Sequence, residues 1–315
     1  MKVDEPSPGT LGSRVPPAFN LILFALTFVS ALLACLMLDG SETATSLSLL
    51  GRATGFALAL LAILLAHEMG HFLLARRHGV DASWPYFIPA PLVSFIGTFG
   101  AVIRLRALPK TRMALIDIGA SGPIFGFLVT LPVLWLGLRL SHVTADTPAE
   151  GWTLFDALAA WLRTGDAPVL RDGIGLGEPL LLQLFERIQF GVLPDGKTLE
   201  LHPIALAGWF GLFVTALNLL PLGQLDGGHV LYAVSPRLHR GLGPFLSAVL
   251  VGLGVFTPFM GWLFWGLLTG TVLSRHPPLE DAQPALGAGR IAIAILCLII
   301  FILSFAPVPL AMLRA

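Results

Sequence analysis

The stretch that decides the fold is "AHEMGHF" at residues 66–72, which continues the apolar run "LALLAILLA" at residues 58–66. It places two histidines and a glutamate inside an otherwise apolar segment. On a helix, His67 and His71 are four residues apart and share one face, so both imidazoles can reach one metal ion. Glu68 lies beside them, where it can take a proton from a water molecule at the metal. This H-E-x-x-H spacing is typical of zinc hydrolases.

The composition indicates that a lipid bilayer surrounds most of the chain. The 315 residues are 55% hydrophobic and 12% charged, with a mean hydropathy of +0.82, whereas ordinary soluble domains have roughly 25% charged residues. A charge near the bilayer centre costs about 2.5–3.5 kcal/mol, so a purely structural role for the histidines and Glu68 is the weaker interpretation. The formal net charge is zero, which argues against nucleic acid as a partner. Cys35 and Cys297 lie far apart in apolar runs, which argues against a disulfide or a cysteine zinc site.

Uncharged runs of about 20 residues predict membrane-spanning helices, because only a helix satisfies its own backbone in lipid. We expect an all-α polytopic membrane protein with six to seven transmembrane helices. The predicted spans are residues 15–38, 53–75, 118–138, 203–225, 241–274 (a hairpin of two helices) and 291–313.

The segment 82–103, "ASWPYFIPAPLVSFIGTFGAVI", interrupts this pattern because it is uncharged but contains three prolines and two glycines. Arg76 and Arg77 precede it, and Arg104 and Arg106 follow it. The positive-inside rule places both clusters in the cytoplasm, so the segment must enter and leave the membrane on one side. We therefore predict a membrane-embedded β-hairpin or re-entrant loop after the second helix.

Charge divides the chain into four predicted parts. Residues 1–17 form a cytoplasmic segment, and residues 18–140 form the first part of the membrane domain. Residues 141–202 hold nine acidic and four basic side chains and are expected to be an extracytoplasmic loop, with amphipathic helices at 152–162 and 179–190. Residues 203–315 form the second part of the membrane domain.

A catalytic zinc site normally has three protein ligands, so two histidines need one more buried donor. The predicted fourth span ends in "NLLPLGQLDGGH" at residues 218–229, which brings Asp226 to the same depth as the histidines. The helix dipole disfavours an acid at a helix C-terminus, which argues for a functional role. Asn218 lies about two turns deeper on nearly the same face, although an interhelical hydrogen bond would also explain it.

The two motifs together resemble the site-2 protease family of intramembrane zinc metalloproteases, in its EGY-like branch. "HEMGH" matches the family's H-E-x-x-H, and "NLLPLGQLDG" matches its N-x-x-P-x-x-x-x-D-G. The resemblance implies that His67, His71 and Asp226 bind one zinc ion per chain. It also implies that Glu68 is the general base and that Asn218 positions the substrate or stabilises the oxyanion.

The resemblance extends to "GTFGA" at residues 97–101, which is similar to the family's substrate-facing strand. The implied substrate-binding residues are Gly97, Thr98, Phe99, Gly100 and Ala101. The implied activity is hydrolysis of a peptide bond within or near the transmembrane segment of a single-span membrane protein. The outer loop is too short for the PDZ domain that many relatives carry, and we expect neither a PDZ domain nor a C-terminal CBS pair in this chain.

Two alternatives remain open at this point: a metal transporter or sensor with the same ligands, and a catalytically silent membrane scaffold. The Glu68 side chain argues against a transporter, since transport needs no general base. The alanine-, leucine- and glycine-rich composition favours a bacterial inner membrane, with the N-terminus and the active site towards the cytoplasm.

Overall fold

The described residues form a mostly helical fold with three small antiparallel sheets. The computed structural model describes residues 16–38, 45–107, 109–145, 162–163, 170–194, 196–273, 276–277, 279 and 284–314. The helices are α1 (Pro17–Leu38), α2 (Ser46–Arg77), α3 (Arg112–Arg139), α4 (Leu180–Phe190), α5 (Pro203–Asn218), α6 (Asp226–Val234), α7 (Pro236–Phe256), α8 (Gly261–Gly270) and α9 (Ala288–Ser304). The strand pairs are β1 (Tyr86–Pro89) with β2 (Thr98–Val102), β3 (His142–Ala145) with β5 (Lys197–Glu200), and β4 (Leu170–Leu176) with β6 (Leu310–Arg314).

Helix α2 lies at the centre of the core, between α1, α3 and α5. It begins where the Thr45 side chain accepts a hydrogen bond from the backbone N–H of Ser48, which satisfies a free donor of the first turn. It ends with Arg76 and Arg77 in its last turn, where positive charge is favoured by the helix dipole. His67 and His71 are buried on the face of α2 that packs into the core.

Four helices in the described part of the chain are long and apolar enough to cross a membrane, namely α1, α2, α3 and α7. Helices α5 and α9 are apolar but have only 16 and 17 residues, and α8 has ten, fewer than the roughly 20 that a span needs. The prediction of six to seven spans is therefore not confirmed. The two counts differ because hydropathy identifies an apolar run but not where a helix within it ends. The three small sheets in the described residues also make the fold mostly helical rather than all-α.

The predicted span at residues 203–225 is wrong in its second half. Helix α5 ends at Asn218, residues 219–225 are non-helical, and α6 begins at Asp226. Pro221 lies inside this break and cannot continue the helix, because it lacks a backbone N–H. Asp226 is therefore the first residue of a helix rather than the last, and the helix dipole favours its carboxylate.

Two glycines allow α6 to fold back against the break. A side chain at Gly227 would overlap the carbonyl groups of Leu219 and Leu220, and a side chain at Gly228 would overlap those of Leu222 and Gly223. Only glycine permits backbones to approach this closely. The "DGG" sequence therefore brings the first turn of α6 up to the end of α5.

The β1–β2 hairpin lies along α1. The Asn20 amide donates to the carbonyl groups of Trp84 and Pro85, at 3.2 and 2.8 Å, and the Ser30 hydroxyl donates to the carbonyl of Gly97. Asn20 and Ser30 are about 15 Å apart along the helix axis, at 1.5 Å per residue. The hairpin therefore follows α1 for roughly half of its length.

Strand β4, in the described part of the chain between α3 and α5, pairs with β6, which follows α9. The helix predicted at 179–190 is α4, whose exposed apolar side chains include Leu180, Leu184 and Ile188. The helix predicted at 152–162 lies outside the described residues except for its last position.

An ionic cluster connects three helices on the side of the molecule that carries the arginine clusters. Arg290 at the start of α9 donates to the Asp117 carboxylate of α3, with Nη2 2.7 Å from Oδ2. His78 at the end of α2 lies with Nε2 2.9 Å from the same oxygen. The side chain of Asp117 is only 14% exposed, so removing it takes this carboxylate away from the partly buried side chains of Arg290 and His78.

We expect Asp117→Ala to lower the free energy of unfolding by about 1–3 kcal/mol, the usual cost of losing hydrogen bonds to a partly buried charge. The matched control is Asp81→Ala, because Asp81 also contacts two basic side chains, Arg76 and Arg106, but is 45% exposed. That control should cost less than about 1 kcal/mol. Thermal unfolding of both variants in one detergent measures these losses of stability. Equal losses in the two variants would contradict a stabilising role for the ionic cluster at Asp117.

Candidate metal centre

Three electron-pair donors converge where α2 meets the start of α6. His67 Nε2 lies 3.3 Å from Asp226 Oδ2, His71 Nε2 lies 3.2 Å from the same oxygen, and the two Nε2 atoms are 3.2 Å apart. Both histidines are buried. Within the described residues, this is the only group of three such side chains able to share a metal ion.

The triangle of donor atoms has the size of one face of a tetrahedral zinc site. Ligands at 2.0–2.1 Å from zinc are separated by about 3.3–3.4 Å in a tetrahedron, close to the 3.2 and 3.3 Å found here. Two imidazoles and one carboxylate are ligands that zinc accepts, and three protein donors leave the fourth position open. The residues present therefore fit a catalytic zinc ion.

The backbone of α3 fixes the orientation of one imidazole. His71 Nδ1 lies 2.8 Å from the carbonyl oxygen of Ile118, which can only accept, so Nδ1 carries the hydrogen. In the neutral ring, Nε2 then presents its lone pair to the other two donors. The sequence does not reveal this partner, because it is a backbone atom of a residue with no polar side chain.

Glu68 and Asn218 both lie at the edge of the triangle. Glu68 is buried, and its carboxyl group interacts with the backbone of Ile103, immediately after β2. Asn218 Nδ2 lies 3.4 Å from His67 Nε2, although the helix that was expected to connect Asn218 to Asp226 is broken. The break brings the two residues to the site from separate elements.

The five residues of the predicted substrate-facing strand differ in their surroundings. Gly97 is packed against the backbone of Ser30 in α1, and the Thr98 hydroxyl is buried and donates to the carbonyl of Ile88 at 2.8 Å. Phe99 is 65% exposed, and Gly100 and Ala101 are partly exposed. Only the last three residues are accessible to a ligand.

The sequence places six further histidines at predicted helix ends or in loops and predicts that they are interfacial or solvated: His78, His142, His202, His229, His239 and His276. This prediction is wrong for His239. That side chain is 2% exposed in α7, and its Nε2 lies 3.0 Å from the carbonyl oxygen of Gly223 in the helix break. His229 Nδ1 lies 2.8 Å from His276 Nε2, and Tyr232 stacks on His276 with ring centroids 3.9 Å apart. Position near a helix end did not predict exposure of His239, because the 219–225 loop folds back onto α7.

Comparison with known sequences identifies the family. The sequence profile of peptidase family M50 matches residues 55–259, which include both motifs and every member of the triangle. The chain belongs to peptidase family M50. The identification as a site-2 protease relative of the EGY-like branch is confirmed, because the curated relatives that the chain matches are EGY1 and EGY2 proteins named as probable zinc metalloproteases.

The M50 chain is similar to several plant proteins. It is 31% identical over 262 residues to "Probable zinc metalloprotease EGY1, chloroplastic" of Arabidopsis thaliana, which covers 81% of this chain and 43% of the relative. The rice EGY1 protein is 30% identical over 331 residues, with 97% and 52% covered, and the Arabidopsis EGY2 protein is 27% identical over 257 residues, with 81% and 42% covered. The chain thus spans about half the length of the curated relatives it matches. No solved structure matches it.

The prediction of a bacterial inner membrane is wrong in the light of these relatives, whose names all carry the word "chloroplastic". That prediction rested on an alanine-, leucine- and glycine-rich composition. Such a composition reports only that the helices lie in hydrocarbon and does not distinguish one bilayer from another.

We expect the purified M50 chain to hold about one zinc ion and His71→Ala to weaken zinc binding by more than about 100-fold, since losing even an outer-shell partner costs 10–100-fold. His239→Ala is the matched control, because it removes another buried imidazole outside the triangle. Metal analysis after dialysis against a weak chelator measures both. Equal zinc content in the two variants would rule out the triangle as the site.

Proposed function

We propose that this chain is an intramembrane zinc metalloprotease that hydrolyses a peptide bond within or near the transmembrane segment of a single-span membrane protein. The observation that carries the proposal is the zinc-sized triangle of His67, His71 and Asp226 with Glu68 beside it. Its position at an apolar helix interface supports a substrate from the bilayer rather than from solution.

The chain's own side chains have separate roles in the proposed reaction. His67, His71 and Asp226 would hold zinc, which when bound supplies a Lewis acid for the scissile carbonyl and for the attacking water. The Glu68 carboxylate takes a proton from that water and then gives it to the leaving nitrogen. The Asn218 Nδ2 donates to the oxygen that becomes negative during the attack.

The β1–β2 hairpin is the proposed substrate platform. A substrate helix hides its peptide bonds in its own hydrogen bonds, so it must unwind before hydrolysis. An unwound segment can regain backbone hydrogen bonds by adding to the edge of a strand. The accessible residues Phe99, Gly100 and Ala101 lie just before Ile103, whose backbone interacts with Glu68. This proximity supports capture of the unwound substrate segment directly beside the metal site.

The depth of the hairpin supports a re-entrant position in the membrane. Its far end contacts Ser30, about 15 Å along α1 from Asn20. His67 is ten residues from Arg77 at the end of α2, which is also about 15 Å. The hairpin tip and the zinc ligands are therefore at similar depths from the side that carries the arginine clusters.

The proposed organisation keeps the four parts predicted from charge, with 18–140 and 203–315 together forming the membrane domain. Each half supplies part of the triangle, since the histidines come from α2 and Asp226 from α6. The names of the curated relatives favour a chloroplast membrane as the location.

Glu68→Gln tests the proposed chemistry. We expect it to retain one zinc ion and to lose about 10²–10⁴-fold in cleavage rate, the usual contribution of a general acid–base group. The substrate would be a single-span membrane protein reconstituted with the enzyme in vesicles. Glu186→Gln in α4 makes the same chemical change away from the histidines and should cleave normally.

Two results would count against the protease. Cleavage by Glu68→Gln at the wild-type rate would remove the general base from the mechanism. Zinc uptake into sealed vesicles by the wild type, lost in His67→Ala, would favour the transporter alternative instead.

Phe99→Ala tests the substrate platform. We expect a rise in KM of about tenfold, because burial of part of an aromatic side chain against substrate contributes roughly 1.4 kcal/mol, with kcat and zinc content unchanged. Phe95→Ala is the matched control, because Phe95 is 54% exposed in the same hairpin but precedes β2. Equal effects of the two substitutions on KM would contradict a specific role for the strand.

A further inference from the structure

Helix α3 supplies no zinc ligand, yet two of its glycines lie against the imidazoles of His67 and His71. A side chain at Gly122 would lie within 3.0 Å of three atoms of the His71 ring, Nε2, Cδ2 and Cε1. A side chain at Gly126 would lie 3.2 Å from Cβ and 3.3 Å from Nδ1 of His67. A side chain at Gly119 would lie 3.0 Å from Cβ of His229 and 3.4 Å from the backbone oxygen of Asp226, so this glycine faces the first turn of α6 rather than a ligand side chain.

The spacing of these glycines follows from helix geometry. Positions 119, 122 and 126 are three and four residues apart in "GASGPIFG", so they lie on one face of α3. The Ile118 carbonyl, which orients His71, lies at the start of the same segment. The bare backbone of this face is therefore the wall against which the two imidazoles pack.

Gly122 differs from the glycines that serve only helix packing. On the same helix, a side chain at Gly137 would overlap the backbone of Ala205 in α5, which is a contact between two helices. At Gly122 the group that would be displaced is the imidazole of a ligand. The same substitution at the two positions should therefore have different consequences for the metal.

We propose that Gly122 is a positioning residue for the zinc site: its missing side chain leaves room for the His71 ring in the position that directs Nε2 towards His67 Nε2 and Asp226 Oδ2. This inference rests on the proposed zinc site and extends it to a residue that neither binds the metal nor touches the substrate. Gly126 has the same role for His67, with a looser contact.

A zinc ion tolerates little displacement of its ligand atoms. Zinc–ligand distances vary by only about 0.2 Å around their ideal values. A methyl group at position 122 must move the His71 ring by more than that, because the overlap is with the ring rather than with the end of a flexible chain. A methyl group at position 126 requires a shift of a few tenths of an ångström.

The experiment measures zinc affinity by competition with a chelator for four variants in the same detergent. We expect Gly122→Ala to lower the affinity at least 100-fold and Gly126→Ala to lower it about tenfold, in line with the losses that follow when a ligand is mis-oriented. Gly137→Ala should lower the unfolding midpoint and leave zinc affinity within about threefold of the wild type. Gly252→Ala, which meets no atom within 4 Å, should change neither quantity.

A double-mutant cycle with His71→Ala keeps the test decisive if Gly122→Ala folds poorly. Unfolding midpoints are measured with chelator present for the wild type, each single variant and the double variant. Because His71→Ala removes the ring, Gly122→Ala should cost nothing further in that background.

Two results would overturn the inference. One is wild-type zinc affinity in Gly122→Ala, and the other is an equal loss of stability from Gly122→Ala with and without the His71 ring. Both readouts are independent of peptide cleavage. An intact zinc site in a chain that cleaves nothing would contradict the proposed protease and leave the role of Gly122 standing.

Discussion

The convergence of two imidazole nitrogens and one carboxylate oxygen within 3.3 Å of one another is the interaction on which the rest of the structure depends. Three electron-pair donors at this distance in an apolar interior need a cation between them. The core supplies the required geometry with three devices: the helical spacing of the histidines, the break that starts a helix at Asp226, and the glycine face of α3. With three protein donors, the fourth position of a tetrahedral zinc ion stays open for water or substrate.

Two elements beside the triangle depart from regular helix: the 219–225 break and the β1–β2 hairpin. The chain leaves the helical conformation between Asn218 and Asp226, so an amide and a carboxylate reach the histidines from two directions. The β1–β2 hairpin brings an accessible strand to Glu68 and is held in place along α1 by Asn20 and Ser30. The regular helices α2 and α3 provide the rigid support, and Asp117 connects them to α9.

The sequence predicted the local parts of this arrangement better than the distant ones. The relation of His67 to His71 follows from the helical repeat alone, and the strand pair was expected from prolines and basic flanks. The break at 219–225 was missed because hydropathy does not show where a helix ends within an apolar run. Pro221 inside the break and the "DGG" sequence directly after it were the available signals. The Ile118 carbonyl and the wall at Gly122 were missed because they are backbone features. The burial of His239 depends on a loop that only the three-dimensional structure reveals, and composition carried no information on which membrane holds the chain.

X-ray absorption at the zinc edge on the purified protein tests the central claim most directly, because it reports the atoms bound to the metal without requiring a substrate. We expect nitrogen and oxygen ligands at about 2.0–2.1 Å, with the outer-shell scattering of two imidazoles and no sulfur. A sulfur ligand at about 2.3 Å, or scattering from a single imidazole, would contradict a site built from His67, His71 and Asp226.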